Sequence, residues 1–207
     1  MTEAISALSV PPNPLIFDSG CGNGEMLLRT LRRHAPARGL GVDLDEDAIA
    51  DANRGVGDLE ARFEVGDAAA VSGPFNAVIN VGASHVYGDF RAALAAFESL
   101  APVILYGEGY WAKHPSQAFL DALGGATIDE LEDRSGLRAA IGEAGFTIAH
   151  ESLAGDQDWA RYEETLAENA ERHDAPDTRS YAARIRDRRA LAGGTDTLGF
   201  ALMVLRS

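Results

Sequence analysis

The stretch "LIFDSGCGNGEMLLRTLRRHA", residues 15–35, narrows most sharply what this chain can fold into. "LIFDSG" is a short apolar run closed by turn residues, the pattern of a buried strand. Met26, Leu27, Leu28 and Leu31 then recur at helical spacing and give the next segment one apolar face. Between them stand Gly20, Gly22 and Gly24. Glycine costs backbone entropy, so three alternating glycines imply a turn whose backbone must be approached closely.

The alternation continues down the chain. "GLGVDL" reads as a second strand and "DEDAIADANR" as a helix with acidic residues at its start, where the helix dipole favours them. "ARFEVGDA" and "NAVINVGA" follow as strands, then the helix "DFRAALAAFESL", with Phe90, Leu94, Phe97 and Leu100 on one face, and the strand "PVILYGEGYW". Strands alternating with helices predict a mostly parallel sheet covered on both faces, an α/β doubly wound fold. Beyond residue 112 the rhythm loosens. "PSQAFLDALG" and "DELEDRSGLRAAIGEAG" read as helices and "FTIAHESLA" as a strand. Two amphipathic helices within 156–192 follow, and the apolar strand "DTLGFALMVLR" comes last. Those two helices are either a cap over a ligand cleft or plain packing, and Trp159 and Tyr162, three apart on one face, read as core or cap. The Pro-rich "VPPNP" at 10–14 is a rigid lead-in. The expected organisation is one domain over 1–207, with a ligand-binding half at 15–112 and an acceptor-side half at 113–207.

In open parallel sheets, ligands bind at strand carboxyl ends where the strand order reverses, and glycines there admit a ligand against the backbone. An acidic residue closing the second strand can accept hydrogen bonds from ribose. Asp43 closes "GLGVD" 19 positions after Gly24, near the spacing such a partner needs. A dinucleotide fingerprint, G-x-G-x-x-G, fits poorly: Glu25 stands at the third glycine position, where a carboxylate would repel a pyrophosphate. S-adenosylmethionine has no phosphate and carries an ammonium and a sulfonium. Asp18, just before the turn, is placed to meet the ammonium directly or through water.

"FDSGCGNG", "GVDLD" and "VGDAAA", in that order on successive strand ends, resemble the first three motifs of the class I S-adenosylmethionine-dependent methyltransferases. The resemblance spans roughly residues 15–110 and more loosely the remainder. It implies a seven-stranded sheet with an antiparallel last strand, and S-adenosyl-L-methionine as cofactor, leaving S-adenosyl-L-homocysteine as product. It also implies a cofactor site from Asp18, Gly20, Cys21, Gly22, Gly24, Asp43, Leu44, Asp67, Ala68 and Asn80. In it Asp43 would bind ribose, Asp67 the adenine amino group, and Ala68 would donate a backbone N–H. Asp43 as a helix cap, Asp67 as turn chemistry and Leu44 as core are the alternatives. Cys21 reads as a small turn residue rather than a nucleophile.

On the acceptor side, "NVGASHVYGD" brings Asn80, Ser84, His85 and Tyr87 to the fourth strand's end. The N/D-P-P-Y/F sequence of some relatives, used on amino groups of bases or glutamine, is missing, and "GASH" resembles small-molecule methyltransferase-like proteins. His85 is either a proton acceptor, since imidazole titrates near neutrality, or a structural histidine. Glu108 could orient an amine and is the second catalytic candidate, while Tyr110 and Trp111 could face a cationic or flat acceptor or simply pack.

Composition trims the remaining classes. The formal net charge is -14 and Lys113 is the sole lysine, whereas phosphate backbones require clustered positive charge, so nucleic acid is not an expected partner. Cys21 is the sole cysteine, which leaves no internal disulfide or multi-cysteine metal site, and no metal is expected. No stretch nears the roughly 18 apolar residues of a membrane span, and no secretory signal is visible. The expectation is a cytoplasmic monomer or homodimer acting on a small molecule. The alternatives are a regulatory protein that binds the cofactor without turnover and, less well matched, a dinucleotide-dependent oxidoreductase.

Overall fold

The computed structural model describes residues 2–172, 176–191 and 196–207. Seven strands form one sheet: β1 (Leu15–Ser19), β2 (Arg38–Asp43), β3 (Glu60–Val65), β4 (Ala77–Val81), β5 (Val103–Trp111), β6 (Thr147–Leu153) and β7 (Leu198–Arg206). Their order is β3-β2-β1-β4-β5-β7-β6. The β5–β7 and β7–β6 pairs are antiparallel and the rest parallel, so the last strand runs as expected. Winding proceeds outward from β1 to β3, then returns to place β4 on the other side of β1. Registers Asp18↔Gly41 and Asp18↔Ile79 put β1 at this reversal.

Helices α1 (Thr2–Ala7), α2 (Glu25–Arg33) and α3 (Glu46–Arg54) pack on one face of the sheet. There Ala4, Ile5, Leu27, Leu31, Ile49 and Ala52 join Ile16, Ile79 and Leu105 in one buried cluster. Strand side chains alternate between faces, so Ile104, Tyr106 and Glu108 point the other way. On that opposite face α4 (Phe90–Leu100) sets Phe97 edge-on to Tyr106, with ring centroids 6.1 Å apart. Each fully buried leucine or phenylalanine here is worth about 1.5–3 kcal/mol over an exposed one.

Helix α1 was not expected. Its Ala4 and Ile5 are buried, and His34 at the end of α2 bonds to the Ile5 carbonyl at 2.9 Å, so what reads as a bare lead-in is an anchored first turn of structure. The region expected as one helix over 129–145 is a short 3₁₀ turn, Ile128–Glu130, followed by α6 (Arg134–Glu143) after α5 (Gln117–Ala122). Asp133 interrupts it by turning its carboxylate onto the Ser135 hydroxyl and the Gly136 N–H. The late helices are α7 (Asp156–Arg172) and α8 (Pro176–Ala190), while 173–175 and 192 of the expected 156–192 pair lie outside the described residues.

By internal contacts the chain divides into two compact units. One comprises Met1–Glu108, Ala139–Ser152 and Ala201–Ser207, the other Gly109–Arg138 and Leu153–Phe200. In the second, Trp111, Phe119 and Leu120 form a small core with Leu123, Leu131 and Leu198. Trp159 stands edge-on to Tyr162 at 5.8 Å and to Phe200 at 6.2 Å, a packing role. Buried Glu163 of α7 receives both Arg188 and Arg189 of α8. No helix among the described residues is long and apolar enough to cross a membrane.

Candidate active site

The turn after β1 is shaped by three glycines with positive φ: Gly20 at 69°, Gly22 at 50° and Gly24 at 76°. They serve different ends. A Cβ on Gly20 would lie 2.5 Å from that of Ala83, so this glycine lets the turn meet the loop after β4. A Cβ on Gly24 would strike the Phe63 ring at 2.5 Å, so this one seats α2 on the sheet. Gly22 has nothing within 4 Å of that position and opens onto free space.

That space is a cavity of about 500 Å³, lined by Gly20, Gly22, Asp43, Leu44, Asp67 and Ala68 and, from the loop after β4, by Gly82, Ala83, His85 and Val86. Asp43 Oδ2 accepts the Gly22 N–H at 2.8 Å and Oδ1 accepts the Asp45 N–H at 3.0 Å, so this carboxylate braces the turn. Capping of α3 falls to Asp45, whose side chain accepts from Asp47 and Ala48. Asp43 is therefore not the helix cap. Asp67 Oδ1 accepts the Ala69 N–H at 2.9 Å, capping a 3₁₀ turn over Ala68–Ala70, so turn chemistry and a place on the cavity wall coexist in one residue. Leu44 is 74% exposed, which removes the core alternative and leaves an apolar side chain on the cavity rim.

Asp18 lies behind the turn and is buried. One carboxylate oxygen, Oδ2, has no hydrogen-bond partner among the described residues. Burial above all, and then the nearby Asp43, raises its pKa to about 7, against the Leu27 N–H, which favours the ionised form. Cys21 is buried beside it. Desolvation and the two carboxylates push its thiol far above the ordinary range, which leaves no thiolate to act as nucleophile.

On the opposite face of the sheet, buried polar groups form a chain across β1, β4 and β5. The Ser19 hydroxyl pairs with Tyr87 Oη at 2.9 Å, and Asn80 Nδ2 donates to the Ser19 carbonyl at 3.1 Å. Ser84 Oγ lies 3.4 Å from Asn80 Oδ1 and donates to Glu108 Oε2. Tyr106 Oη donates to the same oxygen at 2.8 Å. Asn80 thus braces the strand end beneath the turn, and Ser84 and Glu108 come together as one cluster. Tyr106 was missed in the sequence, where it reads as one more apolar strand position. The signal was its spacing, two residues before Glu108 and hence on the same strand face.

His85 is exposed on the cavity wall, within the 3₁₀ turn Ser84–Tyr87. Tyr110 and Trp111 belong to the second unit. Tyr110 packs on Gly199, where a Cβ would meet its ring at 2.3 Å. Trp111 donates from Nε1 to the Ile128 carbonyl at 2.7 Å and stands edge-on to Phe119. Both border a hollow of about 570 Å³ with Asp133, Arg134 and Arg138.

A family model described as a methyltransferase domain matches residues 16–102. The uncharacterized protein YjhP of Escherichia coli (strain K12) is 30% identical over 166 residues, 75% of this chain and 66% of YjhP, so the chain spans about two thirds of that relative. The X-ray structure of YjhP superposes with a TM-score of 0.86 at 25% identity over 100% of this chain and 91% of that one. An S-adenosylmethionine-dependent methyltransferase from Geobacter sulfurreducens, in complex with S-adenosyl-L-homocysteine, gives 0.85 at 26% identity, covering 99% and 88%. Its counterpart from Thiobacillus denitrificans, in the same kind of complex, gives 0.80 at 26%, covering 100% and 90%. This chain belongs to the class I S-adenosylmethionine-dependent methyltransferases.

Proposed function

We propose that this protein transfers a methyl group from S-adenosyl-L-methionine to a small-molecule acceptor. The observation that carries this reading is the cavity beside Gly22, lined by open glycine backbone and by Asp43, whose carboxylate accepts the Gly22 N–H. The residues fit the cofactor. Orphaned Asp18 Oδ2 suits an ammonium, Asp43 suits a ribose diol, exposed Leu44 suits the face of an adenine, and Asp67 with the Ala68 N–H suits its edge. When bound, the cofactor supplies an activated methyl group, and the protein's task is alignment and exclusion of water.

On the acceptor side, His85 stands on the cavity wall where it can take a proton from a hydroxyl or an amine. Ser84 and Tyr106 hold the Glu108 carboxylate in one place, which prepares it to orient a cationic acceptor. Tyr87 braces the Ser19 end of the same chain of groups. Tyr110 and Trp111 remain proposals for the acceptor side on aromatic character alone.

Calorimetric titration with S-adenosyl-L-homocysteine and with NADH, side by side, tests the cofactor. The reading predicts saturable binding of the first and none of the second. Binding of NADH alone would overturn it.

A further inference from the structure

The hollow of about 570 Å³ beside Tyr110 and Trp111 lies wholly within the second unit. Backbone pairing assembles it. The Trp111 N–H donates to the Glu132 carbonyl at 2.8 Å, and Trp111 pairs in parallel with Asp133, so the start of α6 is held beside the end of β5. Tyr110 and Trp111 are both buried and bring aromatic rings to the lining. Arg134 and Arg138 line the same hollow, are exposed, and stand four apart on α6, hence on one helix face.

The charges here are not placed to stabilise the helix. Arg134 sits in the first turn of α6, which carries no acidic residue, and a cation there opposes the helix dipole. Asp133 is the acidic residue of the lining. Its Oδ1 accepts the Ser135 hydroxyl at 2.6 Å and the Gly136 N–H at 2.8 Å, and these bonds hold its carboxyl below the ordinary range. The lining thus carries a surplus of positive charge in a chain whose net charge is -14.

We infer that this hollow binds a small organic oxyanion, a carboxylate or phosphate ester borne on a flat apolar body, with Arg134 and Arg138 taking the anion and Tyr110 and Trp111 meeting the body. A guanidinium presents five N–H donors in a planar fork that matches two oxygens of either anion, so donors remain for a ligand beside a protein partner. Aromatic surface with a few convergent charged groups is the make-up of a small-molecule site. The Asp133 charge works against an extended polyanion and leaves room for a single anionic group. The inference stands apart from the cofactor reading, since none of these residues lines the cavity at the glycine turn.

The test is titration of the full chain, followed by proton–nitrogen correlation spectroscopy at the Trp111 indole, whose Nε1–H donates to the Ile128 carbonyl. The probes are benzoate, phenyl phosphate and, as the neutral control, benzyl alcohol. The expected result is a saturable shift of the Trp111 signal with at least one of the two anions and none with benzyl alcohol. Replacing both arginines, Arg134→Gln with Arg138→Gln, should weaken the anion about tenfold or more. Thermal unfolding of that variant reports whether it is folded. The pair Arg134→Lys with Arg138→Lys keeps the charge and loses the fork, so its affinity should fall less, which supplies a second reading should the glutamine pair not fold. Stronger binding of benzoate assigns a carboxylate and stronger binding of phenyl phosphate a phosphate ester, and either supports the inference. An equal shift with benzyl alcohol, no saturation with either anion, or unchanged anion affinity in the folded variants overturns it.

Discussion

The turn at Gly20–Gly24 and the second unit around Trp111 are assembled by opposite means. Backbone and short side chains build the turn: three glycines in the left-handed region, one carboxylate bracing an N–H, and strand registers that bring β1 beside β4. Large side chains build the second unit, with Trp111 against Phe119 close by in sequence and buried Glu163 against the more distant Arg188 and Arg189. The first arrangement leaves a cavity edged by groups with hydrogen-bonding capacity to offer. The second fills its own centre. A cofactor site written in backbone tolerates few changes, while a packed unit tolerates many of similar volume.

The sharpest way to break this contrast is Gly20→Ala. The new methyl would sit 2.5 Å from Ala83 Cβ at a φ of 69°, so left-handed strain and overpacking add. The expected cost is about 2–4 kcal/mol of stability with loss of S-adenosyl-L-homocysteine binding. Thermal unfolding and titration would check it, and a variant as stable as wild type would mean the turn can shift.

Trp111→Phe probes the other region with a smaller effect. It removes the Nε1 bond to Ile128 and keeps an aromatic ring against Phe119. About 1 kcal/mol of stability should be lost, and affinity for S-adenosyl-L-homocysteine should not change. A drop in that affinity would show that the two regions are coupled.

The same difference decided what the sequence revealed. The glycine turn, Asp43 and Asp67 were legible because local motifs with fixed spacing create them. The parallel sheet was legible because βα alternation leaves few topologies. Helix α1 was hidden because six residues carry too little periodicity, and its reason to form is distant: the buried contacts of Ala4 and Ile5 and the His34 bond to Ile5. The break between Glu130 and Arg134 was hidden because a run of charged residues reads as helix until Asp133 turns its carboxylate onto Ser135 and Gly136. Tyr106 was half legible: its spacing to Glu108 puts both on one strand face, but its second partner, Ser84, comes from the 3₁₀ turn after the neighbouring β4. Leu44 shows the reverse case. Its apolar character suggested core or ligand equally, and exposure alone separated the two.

The central claim is that the glycine turn and Asp43 together hold the adenosyl group, and titration of Asp43→Ala with S-adenosyl-L-homocysteine tests it most directly. Hydrogen bonds to a charged group are worth about 1.5–3 kcal/mol, so affinity should fall about 10- to 100-fold in a variant that remains folded. Affinity equal to wild type would contradict the account and take Asp43 out of the ribose site.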